Sequence, residues 1–156
     1  MSSAFIQTFT QNVAYHSDPT AIFATLCENK PNTLLLESAE ISSKNSLKSL
    51  LLVNAAMKIS CLGQSVTFHA LTDNGAAVLP LIAQKLSAQV NVTSQTSTEL
   101  QVEFKPADNN ADEDSKLLAH GIFDGLRCFT ELYQASSLPV FLGGLFAYDL
   151  VANFIP

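Results

Sequence analysis

Two stretches of alternating apolar and polar residues, joined by a glycine turn, constrain the fold of this chain most strongly. Apolar side chains occupy every second position over residues 57–61 before Gly63 and over residues 66–70 after it. Successive side chains of a strand point to opposite faces, so alternation on both sides of a glycine turn is typical of a β-hairpin. The sequence therefore predicts an antiparallel hairpin here.

Apolar residues at helical spacing predict three helices. The first begins at Asp18 and Pro19, because Asp is a good N-cap and Pro fits the first helical position. The second follows residues 73–75 and contains Pro80, which predicts a late start or a bend. The third carries its apolar stripe over residues 118–132.

Shorter apolar runs predict further strands. Residues 33–36 suit a strand buried on both faces, and residues 50–53 form a second run of the same kind. Residues 100–104 alternate and predict another strand, preceded by a polar link over residues 94–98. Residues 140–148 return to a strand-like composition near the end of the chain.

Composition excludes several classes of protein. The 156 residues are 47% hydrophobic and 14% charged, enough apolar material for one cored domain. The net charge is −6 and no Lys/Arg cluster occurs, so no nucleic-acid partner is expected. The sequence contains neither a secretory start nor a run long enough to span a membrane. Cys27, Cys61 and Cys128 lack metal-site spacing and are interpreted as reduced core thiols of a cytoplasmic protein.

No catalytic or metal-binding motif is present. His16, His69 and His120 stand outside any recognised motif, and His69 falls on the polar side of the predicted hairpin. The acidic residues between 108 and 114 are interpreted as a solvated loop or a helix start, and Gly143–Gly144 as a turn or bulge. No catalytic residue and no metal ligand are therefore assigned.

One strand end combines groups that an amino-acid ligand requires. The apolar run ends at Glu37 and Ser38, and Lys48 follows on the return of the chain. A carboxylate can bind the ligand's ammonium group, a cation its carboxylate, and apolar side chains its hydrocarbon part. The alternative interpretation is a capped loop with a surface salt bridge. The residues alone leave both interpretations open.

The segment Leu34–Leu52, LLLESAEISSKNSLKSLLL, resembles the regulatory segment of anthranilate synthase component I. The resemblance extends over essentially the whole chain, through the stretches AYHSDPTAIF, TDNGAAVLPLI, LLAHGIFDGLRCF and GGLFAYDLV in that order. By this resemblance, four residues fall on the family's tryptophan feedback site: Leu36, Glu37, Ser38 and Lys48.

The resemblance also implies a fold, partners and a cofactor. The expected fold is α+β, with antiparallel sheets and flanking helices, and residues 1–156 would form part of the regulatory region. L-Tryptophan would be the ligand. The remainder of component I would carry the residues for chorismate and Mg²⁺. A glutamine amidotransferase, component II, would supply ammonia for the formation of anthranilate and pyruvate.

Two alternatives to this interpretation remain. Component I of aminodeoxychorismate synthase, an enzyme of folate synthesis, shares the scaffold. A free-standing amino-acid-binding or adaptor domain is an alternative from another class. The chain stops just after an apolar, strand-like stretch, which favours a piece of a longer protein over the free-standing domain.

Overall fold

The fold is α+β, as the resemblance implied. The structure is a computed structural model that describes residues 9–38, 48–105, 112, 119–132 and 140–148. Its helices and strands, in chain order, are α1 (Pro19–Cys27), β1 (Leu34–Glu37), β2 (Ser49–Leu52), β3 (Met57–Leu62), β4 (Ser65–Ala70), α2 (Asp73–Leu86), β5 (Val90–Gln95), β6 (Glu99–Phe104) and α3 (Ile122–Leu132).

The chain divides into two compact units, although its composition is compatible with a single core. The larger unit consists chiefly of Ala56–Phe141 and contains strands β3 to β6 with helices α2 and α3. The smaller unit consists of Phe9–Ala55 and Leu142–Leu145, with helix α1 and strands β1 and β2.

An antiparallel four-stranded sheet in the order β3-β4-β6-β5 organises the larger unit. Its first two strands form the predicted hairpin, which turns at Gly63 in the left-handed region (φ 56°). Apolar residues on one face of the sheet pack against the helices, which explains the period of two in the sequence. The core consists of Val66, Phe68, Ala70, Leu79, Ile82, Leu86, Val90, Leu100, Val102, Phe104, Ile122, Cys128 and Phe129.

Helix α2 begins earlier than its proline predicts. Thr72 is the N-cap, and its side-chain oxygen accepts a hydrogen bond from the Gly75 backbone N–H at 3.2 Å. The helix continues through Pro80 to Leu86. A Cβ atom on Gly75 would collide with the backbone carbonyl oxygen of Ala56. Gly75 is therefore part of the helix and permits a close backbone approach.

Strand β5 has no counterpart among the strands that the sequence predicts. The predicted polar link includes Ser94 and Gln95, which instead pair with β6. The ladder has an irregularity between Val92 and Ser94, which disturbs the alternation of side chains. The strand also lies at an edge of the sheet, where polar side chains are favoured. Both features remove the alternation of apolar and polar residues from which strands are predicted.

Helix α3 confirms the third predicted apolar stripe over Ile122–Leu132. Leu118, the first residue of the predicted stripe, lies outside the described residues. Ile122 and Phe129 are buried in the core. At its start, the Asp124 carboxylate accepts a hydrogen bond from the Gly121 N–H at 2.8 Å and another from Arg127 at 3.1 Å. The carboxylate therefore caps the first turn of the helix.

The smaller unit confirms the predicted start of α1. Pro19 is the first helical residue, and the Asp18 carboxylate accepts a hydrogen bond from the Ala21 N–H at 2.9 Å. Strands β1 and β2 form a two-stranded antiparallel ribbon. The prediction that residues 33–36 form a strand buried on both faces is wrong, since Leu36 is 47% exposed.

Two further expectations need correction. Residues 140–147 form neither helix nor strand, and large apolar side chains in this stretch are exposed, including Leu145 and Phe146. The three cysteines are free, but only Cys27 and Cys128 are buried. Cys61, near the end of the edge strand β3, is exposed. Among the described helices, none has the length and apolar character needed to cross a membrane.

Replacing Gly75 by alanine tests the close approach to Ala56. We expect Gly75→Ala to lower the free energy of unfolding by about 1–3 kcal/mol, because the added Cβ must displace backbone. Urea unfolding followed by circular dichroism measures this change. Gly144→Ala is the control, since a Cβ there meets no atom within 4 Å. Equal stability of the two variants would contradict the account.

The Asp124 cap should make stability depend on pH. Burial opposes ionisation, but hydrogen bonds from Gly121 and Arg127 and the charges of Arg127 and His120 outweigh it, so the pKa of Asp124 is lowered. A lowered pKa in the folded state means that the ionised carboxylate stabilises the fold above about pH 4, and that this contribution disappears as the pH falls through the lowered pKa.

Asp124→Asn keeps a hydrogen-bond acceptor but removes the charge, so it isolates this contribution. We expect the variant to be less stable than the parent chain at pH 7 and the difference to shrink as the pH falls from about 5 to about 3. Urea unfolding at several pH values measures it. A stability difference that stays constant over that range would show that the charge of Asp124 contributes nothing.

Candidate functional site

The four sequence-predicted residues meet at one end of the β1–β2 ribbon. The register pairs Leu36 with Leu50 and Glu37 with Ser49. One step further, the Ser38 backbone N–H donates a hydrogen bond to the Lys48 carbonyl oxygen at 3.0 Å. Residues that the sequence separates by up to twelve positions are thus brought together in three consecutive pairs of one ladder.

The register also divides the candidate site between two faces. Residues directly opposite each other in an antiparallel pair share a face, and neighbours along a strand alternate. The pairs Leu36/Leu50 and Ser38/Lys48 therefore lie on one face, and the pair Glu37/Ser49 lies on the other. A hydroxyl and an ammonium group stand beside two leucines on the first face, whereas the carboxylate of Glu37 belongs to the second.

All four predicted residues are exposed in the described part of the chain. Of the ribbon's leucines, only Leu36 (47%) and Leu50 (40%) are among the exposed large apolar residues. The side chains of Glu37, Ser38 and Lys48 form no hydrogen bond or ion pair with other described residues. The end of the ribbon therefore presents unused polar groups next to an apolar pair.

These groups match the chemistry of a free amino acid. Lys48 and Ser38 can donate hydrogen bonds to a carboxylate, and Glu37 can accept from an ammonium group. The leucine pair can contact an apolar side chain. The alternative of an internal salt bridge at this end gains no support from the register, because Glu37 and Lys48 lie on opposite faces of the ribbon.

Histidines elsewhere in the described chain take part in local structure. His16 Nδ1 accepts a hydrogen bond from the Asp18 N–H at 3.1 Å, beside the start of α1. His69 lies on the exposed side of its hairpin, as predicted, with Nδ1 3.5 Å from a Glu99 carboxylate oxygen. His120 lies at the same distance from the Asp124 carboxylate.

No three His, Cys, Asp or Glu side chains in the described part of the chain come together in a way that could hold a metal ion. Most of the acidic loop of residues 108–114 lies outside the described residues, so its interpretation stays a prediction. No step of the function is therefore assigned to a metal bound by these residues.

Sequence interpretation did not single out Ser49 and Leu50, which the register places opposite Glu37 and Leu36. Both lie within the run KSLLL that follows Lys48, where consecutive leucines hide the alternation of faces. A signal was nevertheless available, because two apolar runs separated by a polar loop can pair antiparallel. Pairing Ser38 with Lys48 then places Ser49 opposite Glu37 and Leu50 opposite Leu36.

A scan of protein-family models gives no match to this chain. Among curated proteins, the chain is 58% identical to anthranilate synthase component 1 of Haemophilus influenzae over 156 residues, which cover 99% of the chain. It is 48% identical to the protein of that name from Vibrio parahaemolyticus over 97% of its length. With the Escherichia coli protein of that name it shares 44% identity over 96% of its length.

The chain belongs to the anthranilate synthase component 1 family over the portion that it spans. The resemblance found in the sequence is thereby confirmed. The chain spans about 30% of the length of these relatives, namely 30%, 28% and 29% in the order given. These names favour anthranilate synthase component 1 over the aminodeoxychorismate synthase component considered above.

Proposed function

We propose that residues 1–156 form the N-terminal, tryptophan-sensing region of an anthranilate synthase component 1. One structural observation carries the proposal: the Ser38–Lys48 backbone hydrogen bond and the ladder register gather all four resemblance-derived positions at one ribbon end. The resemblance of residues 34–52 to the family's regulatory segment supports L-tryptophan as the ligand. The exposed polar and apolar groups at that end supply a chemically suitable surface.

The role of each residue in the proposed site follows from the chemistry of its side chain. Ser38 and Lys48 bind the carboxylate of tryptophan, and Leu36 contacts its side chain. Glu37 lies on the other face of the ribbon, but it is the last residue of β1. In this proposal its carboxylate reaches around the end of the ribbon and accepts a hydrogen bond from the ligand's ammonium group. The rest of the binding pocket comes from the remainder of component 1, since this ribbon end is an exposed surface.

The parent enzyme, in this proposal, converts chorismate to anthranilate and pyruvate in tryptophan synthesis. Ammonia comes from a glutamine amidotransferase partner, component II. The chorismate-binding residues and the Mg²⁺ site belong to the part of component 1 outside this chain. The protein is cytoplasmic, and tryptophan regulates it by feedback inhibition.

Replacing Ser38, Glu37 or Lys48 by alanine in full-length component 1 should weaken feedback inhibition. Each loss removes a hydrogen bond to the ligand, costing about 1–3 kcal/mol, or roughly a ten- to hundredfold rise in the tryptophan inhibition constant. Turnover without tryptophan should persist, because none of these residues handles chorismate. Inhibition curves with chorismate as substrate measure both quantities.

Matched controls separate binding from folding. Ser60→Ala and Lys58→Ala remove the same groups from exposed positions on β3, outside the ribbon, and should leave the inhibition constant unchanged. If Ser38 and Glu37 only cap a loop, their replacement will lower stability and activity together and leave the inhibition constant near its original value. That outcome would refute the assignment.

The 156-residue chain alone should lack anthranilate synthase activity with either ammonia or glutamine. The reason is that, in this proposal, the residues that handle chorismate belong to the part of component 1 outside this chain. Anthranilate fluorescence after addition of chorismate, Mg²⁺ and ammonium provides the assay, with full-length component 1 as the positive control. Sustained anthranilate formation by the purified chain would contradict the proposed division of labour.

A further inference from the structure

We infer that Leu50 is a further residue of the proposed tryptophan site and that it contacts the indole ring opposite Leu36. The inference rests on the proposed function and extends it to a residue that the sequence resemblance did not assign. It starts from the register, which places Leu50 directly across from Leu36.

The two leucines form one surface with the polar pair. Directly opposite residues in an antiparallel ladder have Cβ atoms about 4.5–5.5 Å apart. The next pair on the same face is two residues along each strand, and here that pair is Ser38 and Lys48. The leucine pair therefore lies about 7 Å along the strands from the polar pair. The side chain of a ligand whose carboxylate is bound by Ser38 and Lys48 can span that distance and contact both leucines.

Exposure distinguishes this pair from the other leucines of the ribbon. Leu36 and Leu50 are 47% and 40% exposed, whereas Leu34, Leu35, Leu51 and Leu52 are all less exposed. The pair that contributes least to packing within the chain is thus the pair next to the proposed carboxylate site. An apolar ring placed over it would remove apolar surface from water, which stabilises the complex.

The occupant is an aromatic amino-acid side chain and not a second apolar strand. A strand added to the edge of the ribbon would use backbone hydrogen bonds and would leave the side chains of Ser38 and Lys48 without a role. A free amino acid uses the hydroxyl, the ammonium group and both leucines together. Leu50 therefore determines how well the site accepts a large apolar side chain.

Leu50→Ala in full-length component 1 tests the inference. We expect the inhibition constant for L-tryptophan to rise roughly tenfold, because truncation removes much of the apolar contact with the ring. Leu50→Met preserves apolar volume and should restore inhibition to within about twofold of the original. The matched control is Leu51→Ala, which lies on the opposite face across from Leu35 and should raise the constant by less than about threefold.

Comparing Leu50→Ala with Ser38→Ala and with Leu51→Ala distinguishes failure of this inference from failure of the proposed function. Ser38→Ala is measured in parallel: weakened inhibition in Ser38→Ala without any change in Leu50→Ala would overturn the role of Leu50 and leave the proposed function intact. Unchanged inhibition in both variants would contradict the proposed function itself. Thermal unfolding of each variant tests whether a loss of inhibition comes from lost stability. If Leu50→Ala and Leu51→Ala weaken inhibition equally and both lower the melting temperature, the two leucines act in folding. That result would also overturn the inference.

Discussion

Antiparallel strand pairing in a fixed register is the constraint on which both the core and the candidate site depend. In the larger unit, the register of β4 with its neighbours places Val66 and Phe68 on the face covered by helices. In the smaller unit, the hydrogen bond between Ser38 and Lys48 continues the β1–β2 ladder by one pair. A slip of one residue would exchange the faces of every side chain in the slipped strand.

Much of the fold could be predicted where local chemistry and packing agree. The hairpin at Gly63 and the start of α1 at Asp18 follow from alternation and capping, which act over a few residues. Strand β5 could not be predicted, because its edge position and irregular register remove the alternation. The start of α2 was missed because residues 73–75 and Pro80 favour a later start, although the Thr72 cap is a local signal for a helix beginning at Asp73. The close approach of Gly75 to Ala56 joins residues distant in sequence and could not be predicted.

For the candidate site, too, the sequence supplied residues, whereas their arrangement came from contacts between strands. The resemblance gave Leu36, Glu37, Ser38 and Lys48 as four residues without geometry. The register then separates Glu37 from the other three and adds Leu50 to them. Alternation along each strand does not reveal that separation, since consecutive leucines occupy both faces. Only the pairing of the strands supplies it.

The central claim is that L-tryptophan binds at the end of the β1–β2 ribbon. A crystal structure of full-length component 1 grown with L-tryptophan tests it most directly. The account predicts ligand density with its carboxylate within about 3.2 Å of the Ser38 hydroxyl or the Lys48 ammonium group, and with its indole ring against Leu36 and Leu50. Tryptophan bound elsewhere, with this end of the ribbon covered by protein or open to solvent, would contradict the account.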